Sequence, residues 1–329
     1  MAGKERKVYF NGTIIPESQA RISIYDSALM FGDMVFEMTR SFNKVQFKLR
    51  DHLERLYASI RYVHIPLEMP MDEMEEHVHE LIELNDPLFE PDDEHRVMIN
   101  VSRGLLSIYQ DVLGVEKGPT VIIADFPLRW TVASMGPLYD TGINAVIPSQ
   151  RAIPAHLLEP KVKNRSRLHY QMANIEVSQY AGENNWALLL DPDGFIAEGT
   201  GDNVFMVKDG RLLTPEGRNI LRGISRKYIL EELAPQMGIG ATEKNLELYD
   251  LVNADEAFFT GTPFCILPIT SVNGTPIGPG TMGPTTRGLI GRWGQNVGVD
   301  IVEQIKRFGL SKKPGASQAP SPYSFRPKK

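Results

Sequence analysis

Cysteine is nearly missing from this 329-residue chain, with Cys265 the only one. One thiol builds neither an intrachain disulfide framework nor a Cys-based metal site. Its apolar setting, FFTGTPFCILPI, predicts a buried thiol. Long hydrophobic runs are missing too. No stretch approaches the roughly 18 apolar residues of a membrane span, and the opening MAGKERKVYF has basic residues without the apolar core of a signal peptide. A soluble cytoplasmic protein with no membrane partner is the expectation. Positive charge is not in excess: 35 Lys and Arg stand against 41 Asp and Glu, a formal net charge of -6. That balance argues against a phosphate-backbone binder, so no nucleic-acid partner is expected.

Several catalytic signatures are missing as well. There is no Walker loop, no G-x-G-x-x-G after a strand and no G-x-S-x-G nucleophile elbow. The seven histidines never pair at i, i+4, and His77 and His79 diverge on a helix, so no metal is expected. What is present is an ordinary globular composition, 42% hydrophobic and 23% charged, long enough for about two domains.

The pattern along the chain predicts a small N-terminal domain over residues 1–126. It comprises a strand pair KVYFNGTIIP turned at Asn-Gly, the run ALMFGDMVFEMTRSF, a helix DHLERLYASIRYVHI with Asp51 as N-cap, a helix MDEMEEHVHELIEL after Pro70, and strands HRVMINVS and GPTVIIADF. A connector is placed at residues 127–140, with PLRWTVASMGPLYD showing no clean period. A larger, strand-rich domain follows over residues 141–310. Its elements are INAVIPSQ, a helix near SRLHYQMANIEVSQ, WALLLD, a hairpin NVFMV/RLLT turned at Asp-Gly, a helix GISRKYILEELAPQMG, the strand DEAFFTGT, a hairpin at Asn273-Gly274 and a last helix GPTTRGLIGRWGQNV. Residues 311–329 read as a flexible tail.

The chemistry-bearing candidates lie mostly in the second half. In LRGISR, Gly223 before a helix start would let the N–H groups of Ile224 and Ser225 face a phosphate; equally, Ser225 would simply cap a helix. The TGT run ending at Thr262 would donate to phosphate or finish a turn. Arg55 lies off the apolar stripe of its helix and reads on its own as a solvated arginine. Lys163, in EPKVKNRSRLHY, suits a Schiff-base nucleophile if burial or the neighbouring Arg165 and Arg167 depress its pKa. Glu198, in FIAEGTGDN, suits a protonated ring nitrogen. Phosphate donors, an amine and a carboxylate are the parts of a pyridoxal phosphate site.

The ordered series FNG, FGDMVFE, HLERLYAS, VKN, AEGTGDNVFMVKDG, LRGISR, ADEAFFTGT and GPTTRGL, reaching to about residue 300, resembles the class IV (fold type IV) pyridoxal-phosphate aminotransferases. That family includes branched-chain and D-amino acid aminotransferases and (R)-selective amine transaminases. The resemblance implies a two-domain α/β fold type IV enzyme that works as a homodimer with pyridoxal 5'-phosphate. It implies Lys163 as the Schiff-base lysine, with Lys161 a decoy because the family pattern puts the lysine directly before an Asn-like position. It further implies Glu198 on the pyridine nitrogen, and Arg55, Ile224, Ser225 and Thr262 around the phosphate.

The substrate pocket departs from the family's best-known branches. Arg40, Phe31 and Phe36 match the branched-chain type, though Phe31 stands where a tyrosine is usual and Leu168 replaces another tyrosine. Ile108 and Gln110 stand where D-amino acid aminotransferases place an Arg-x-His carboxylate trap, and Pro263 removes a backbone donor after Thr262. Arg40 and Arg129 are left as charged anchors. The expected activity is transfer of an amino group between apolar, branched-chain-type amino acids and a 2-oxo acid. The alternatives are an (R)-selective amine:pyruvate transaminase and an aminodeoxychorismate-type lyase.

Overall fold

The computed structural model describes residues 5–109, 111, 114 and 117–310; Gln110 and the tail 311–329 lie outside the described residues. The chain folds into two units. Unit 1 runs to Leu128 and takes in Val162–Arg167, while unit 2 holds Arg129–Lys161 and the described residues from Leu168 onward.

Unit 1 comprises β1 (Lys7–Phe10), β2 (Thr13–Pro16), α1 (Ser27–Phe31), β3 (Met34–Met38), β4 (Ser41–Phe42), β5 (Val45–Gln46), α2 (Leu49–Tyr62), α3 (Met71–Asn85), β6 (His95–Ser102) and β7 (Thr120–Pro127). Five of its strands form an antiparallel sheet in the order β2-β1-β7-β6-β3, and β4 pairs with β5 alone. Asn11 and Gly12, both at positive φ, make the β1–β2 turn, as the Asn-Gly pair predicts. Apolar side chains at helical spacing, Leu53, Leu56 and Ile60 on α2 and Met74, Val78 and Leu81 on α3, join Val97, Ile99 and Val101 of β6 in one core. The sequence expectation for the start of α2 needs correction. The helix begins at Leu49 after Lys48, whose backbone is left-handed, so Asp51 is not the N-cap. Its carboxylate stands in the first turn, where the positive end of the helix dipole favours it.

Unit 2 comprises α4 (Arg129–Val132), α5 (Leu138–Thr141), β8 (Ile143–Val146), α6 (Leu168–Val177), β9 (Asn185–Leu190), β10 (Ile196–Gly199), β11 (Asn203–Lys208), β12 (Arg211–Thr214), α7 (Ile224–Tyr228), α8 (Ala234–Gln236), β13 (Ala241–Glu243), α9 (Leu248–Val252), β14 (Glu256–Gly261), β15 (Cys265–Val272), β16 (Thr275–Pro276), α10 (Pro284–Val297) and α11 (Ile301–Leu310). Its sheet runs β10-β9-β8-β15-β14-β11-β12-β13, and β10 also pairs with β11. Six strands therefore close into a ring, and the closing pair is Glu198 opposite Asn203. A π-helical turn, Ile229–Leu233, joins α7 to α8 in one continuous helix.

Three features differ from the sequence reading. Residues 129–140, placed in the interdomain connector by the sequence, belong to unit 2, where Val132, Met135, Leu138 and Tyr139 are buried. Val162–Arg167 returns to unit 1, where β3 is the edge of the sheet: Phe36 N–H donates to Lys163 O at 2.9 Å and Arg165 N–H to Met34 O at 2.8 Å. This strap satisfies an edge that would otherwise present unpaired backbone groups. Finally, α11 was not expected, although Asp300 caps it and Ile301, Ile305 and Phe308 form its buried stripe.

Candidate active site

The strap in unit 1 presents Lys163. Lys163 and Arg165, two residues apart on a segment bridged to β3 through Asn164 and Val35, fall on one face. The ring of the buried Phe36 receives both: Lys163 Nζ lies 4.8 Å and the Arg165 guanidinium carbon 3.6 Å from its centroid, with Arg167 at 5.6 Å. Lys161 is elsewhere, its Nζ paired with Glu159 at 2.5 Å and donating to Arg218 O at 3.3 Å. The two lysines thus lie in different surroundings.

Arg55 is not a solvated arginine. Its Nε and one Nη donate to the two oxygens of Glu37, at 2.6 and 2.9 Å. Glu37 is fully buried on β3, and His52 Nδ1 lies 2.7 Å from its Oε2. Burial alone would raise the Glu37 pKa, but the charges of Arg55 and His52, with the hydrogen bonds from both, outweigh it and hold the carboxyl well below the usual range. Burial lowers the His52 pKa; Glu37 opposes this, and the charges of Arg55 and Lys163 add to it. An ionised carboxylate only accepts, so the proton of this bond is carried by His52 Nδ1. Sequence reasoning missed Glu37 and His52. The i, i+3 spacing of His52 and Arg55, which sets both on one helix face, was the available signal.

In unit 2, Glu198 sits at the ring closure with 5% of its surface exposed. Tyr170 Oη donates to one oxygen at 2.7 Å, and the Asn203 amide (3.2 Å) and Leu221 N–H (3.0 Å) donate to the other. These three donors are neutral groups, and they fix the orientation of the carboxylate. Tyr170 and Asn203 are further residues that sequence reasoning did not single out. Gly223 caps α7, with Ile224 and Ser225 next. The first intrahelical bond is made by Lys227 N–H to Gly223 O, so the N–H groups of Ile224 and Ser225 precede it. A side chain at Gly223 would run into Asn203 Oδ1, which explains the glycine. Thr262 stands in the turn from β14 to β15. A charged acceptor beside neutral donors, and N–H groups at a helix start, fit a protonated pyridine and a phosphate respectively.

The pocket candidates fare differently. Phe31 is exposed at the end of α1, and Arg129 lies on α4 with its guanidinium 5.0 Å from the Phe308 ring. Arg40 is 1% exposed, lies 3.8 Å over the Phe42 ring and donates through Nε to Ser41 O in unit 1.

The family described as amino-transferase class IV matches residues 34–272. The chain belongs to this family. It is 36% identical over 285 residues to a putative branched-chain-amino-acid aminotransferase of Methanocaldococcus jannaschii, covering 86% of this chain and 93% of that one. It is 30% identical over 285 residues to a D-alanine aminotransferase of Bacillus licheniformis, covering 86% and 94%. Among solved structures, a branched-chain aminotransferase from Thermobaculum terrenum in its pyridoxal phosphate form superposes with a TM-score of 0.77 at 26% identity, covering 93% of this chain and 97% of that one. This class IV aminotransferase is a fold type IV transaminase, and its cofactor is pyridoxal 5'-phosphate.

Proposed function

We propose that the enzyme moves the amino group of apolar, branched-chain-type amino acids to a 2-oxo acid such as 2-oxoglutarate or pyruvate, in a ping-pong cycle. Relatives named as branched-chain aminotransferases support this reading and do not favour the (R)-amine:pyruvate or lyase alternatives. The observation that carries it within this chain is the placement of Lys163, on the Phe36 ring beside the Glu37–Arg55–His52 cluster, while Lys161 is spent on Glu159.

Pyridoxal phosphate supplies an aldehyde carbon that joins amines with loss of water, and a ring that accommodates the electron pair left by a departing α-proton. Lys163 Nζ would hold that carbon in the resting enzyme and, once freed by the substrate amine, would serve as the base that carries a proton from the substrate α-carbon to the cofactor carbon two atoms along. Glu198 keeps the ring nitrogen protonated. Arg55, the N–H groups of Ile224 and Ser225, and Thr262 hold the phosphate. Glu37 and His52 are positioning residues that fix Arg55. Phe31 and Phe36 are assigned to the apolar side of the substrate, and Arg129 is retained as a carboxylate contact. The working form is a homodimer in the cytoplasm.

Borohydride reduction of the holoenzyme followed by peptide mapping should mark Lys163, and Lys163→Ala should abolish both the mark and turnover. Lys161→Ala should leave both intact. A mark on Lys161 refutes the assignment.

A further inference from the structure

The GPTTRGL motif places Arg287 on α10, and the aminotransferase site described above makes no use of it. Arg287 lines a cleft of about 640 Å³ in unit 2, walled by α10, α11 and the link between them, and a cleft of that volume has room for a small molecule. None of its lining residues is among those assigned to cofactor or substrate. We infer that this cleft is a second binding site, which takes a free α-amino acid with a large apolar side chain, its carboxylate on Arg287 and its ammonium on Glu303. The inference does not depend on which amino acid the enzyme transaminates.

The first observation is charge. Arg287 on α10 and Glu303 on α11 are both exposed, and neither side chain has a hydrogen-bond or ion-pair partner among the described residues. The other charges at the cleft are engaged: Lys306 pairs with Asp140 at 2.8 Å, and Asp300 accepts the Glu303 N–H at 3.0 Å as the cap of α11. One cation and one anion are left over, one on each helix, and a zwitterion answers both. The lining also holds Met282, Ile290, Val299 and Val302, which suit an apolar side chain. The second observation is Gly291. Glycine weakens a helix interior, yet α10 carries Gly288, Gly291 and Gly294. A Cβ at Gly288 would meet Met237 Cε at 2.8 Å and one at Gly294 would meet Val299 O at 2.6 Å, so packing accounts for those two. At Gly291 a Cβ would meet no described atom within 4 Å, and this residue lines the cleft one turn after Arg287. Bare backbone there lets a ligand lie close against the helix, beside the guanidinium.

The test uses holoenzyme reduced with borohydride, in which the cofactor is fixed to its lysine and no amino acid can displace it. Calorimetry then follows three probes: L-phenylalanine, hydrocinnamic acid, which lacks the ammonium, and phenethylamine, which lacks the carboxylate. Wild type should bind phenylalanine with a dissociation constant of about 1 mM or below, and more tightly than either fragment. Gly291→Leu, which fills the cleft with a residue that favours a helix, should weaken all three about ten-fold or more. Arg287→Gln should weaken phenylalanine and the acid about five-fold and leave the amine unchanged, whereas Glu303→Gln should weaken phenylalanine and the amine about five-fold and leave the acid unchanged. All three positions are exposed, so these variants keep the fold. No phenylalanine binding up to about 10 mM, an affinity within about two-fold of wild type in Gly291→Leu, or equal losses for acid and amine in both charge variants would overturn the inference.

Discussion

Glu37 is a carboxylate with no exposed surface, and a charge survives there only because Arg55 grips both of its oxygens and His52 donates a third bond. Removing one partner of such a buried pair leaves the other charge uncompensated, at a cost of about 3 kcal/mol or more. Glu37→Gln should therefore lower unfolding stability at pH 7 and weaken cofactor retention through a loosened Arg55. The pH dependence has a definite sign. The folded pKa of Glu37 lies below its unfolded value, so its contribution is present above an ordinary glutamate's pKa, about 4.3, and is lost as pH falls below that value toward the folded pKa. Urea unfolding between pH 7 and pH 3 should show a steep acid loss in wild type and a shallower one in Glu37→Gln. Parallel curves would show that Glu37 is not the group responsible. At this scale the sequence was informative wherever a motif names the residue, as with Lys163 and Glu198. It was silent on Tyr170, Asn203 and Glu37, whose roles arise from side-chain pairings that no local pattern announces.

Elements were legible where a local rule sets them. The Asn11-Gly12 and Asp209-Gly210 turns take the positive φ values their residues favour, and α2 and α3 follow their apolar stripes. The strap Val162–Arg167 was not legible, because its place is set by the open edge of β3 and not by any property of its own residues. The GPTTRGL motif shows how an element's start depends on a distant residue. The N–H groups of Thr285 and Thr286, in the first turn of α10, donate to the two oxygens of Glu256, at 2.9 and 2.8 Å. Glu256 opens β14, so one buried carboxylate caps the helix and ties it to the sheet. Losing a cap costs about 0.5–2 kcal/mol. Glu256→Ala should lower Tm by a few degrees in a thermal melt while leaving borohydride labelling of Lys163 in place. An unchanged Tm would mean the two bonds add nothing over water.

For the whole molecule, the order of motifs carried the family, whereas the division into units depends on contacts between distant segments. One feature at this scale concerns assembly. Ile22, Ile24, Leu29, Met30, Phe31 and Ile108 are all exposed on unit 1. The two segments that carry them adjoin: Ser27 N–H donates to Gly104 O at 2.8 Å, and the Tyr25 and Tyr109 rings lie 5.1 Å apart. Asp26 anchors this face, accepting from Ala28 N–H, Ser102 Oγ and Thr120 Oγ1 while itself almost fully buried. An exposed apolar patch held in fixed shape marks an interface more readily than a mobile loop does, because no ordering cost remains to be met on association. A two-fold axis would place the patch of one chain on the same patch of another. Light scattering at micromolar concentration should therefore give a dimer mass for wild type, and the double change Ile24→Glu, Leu29→Glu should shift it to monomer by setting like charges on both sides of the contact. A wild-type monomer at that concentration, or a variant that stays dimeric, would remove this face from the assembly.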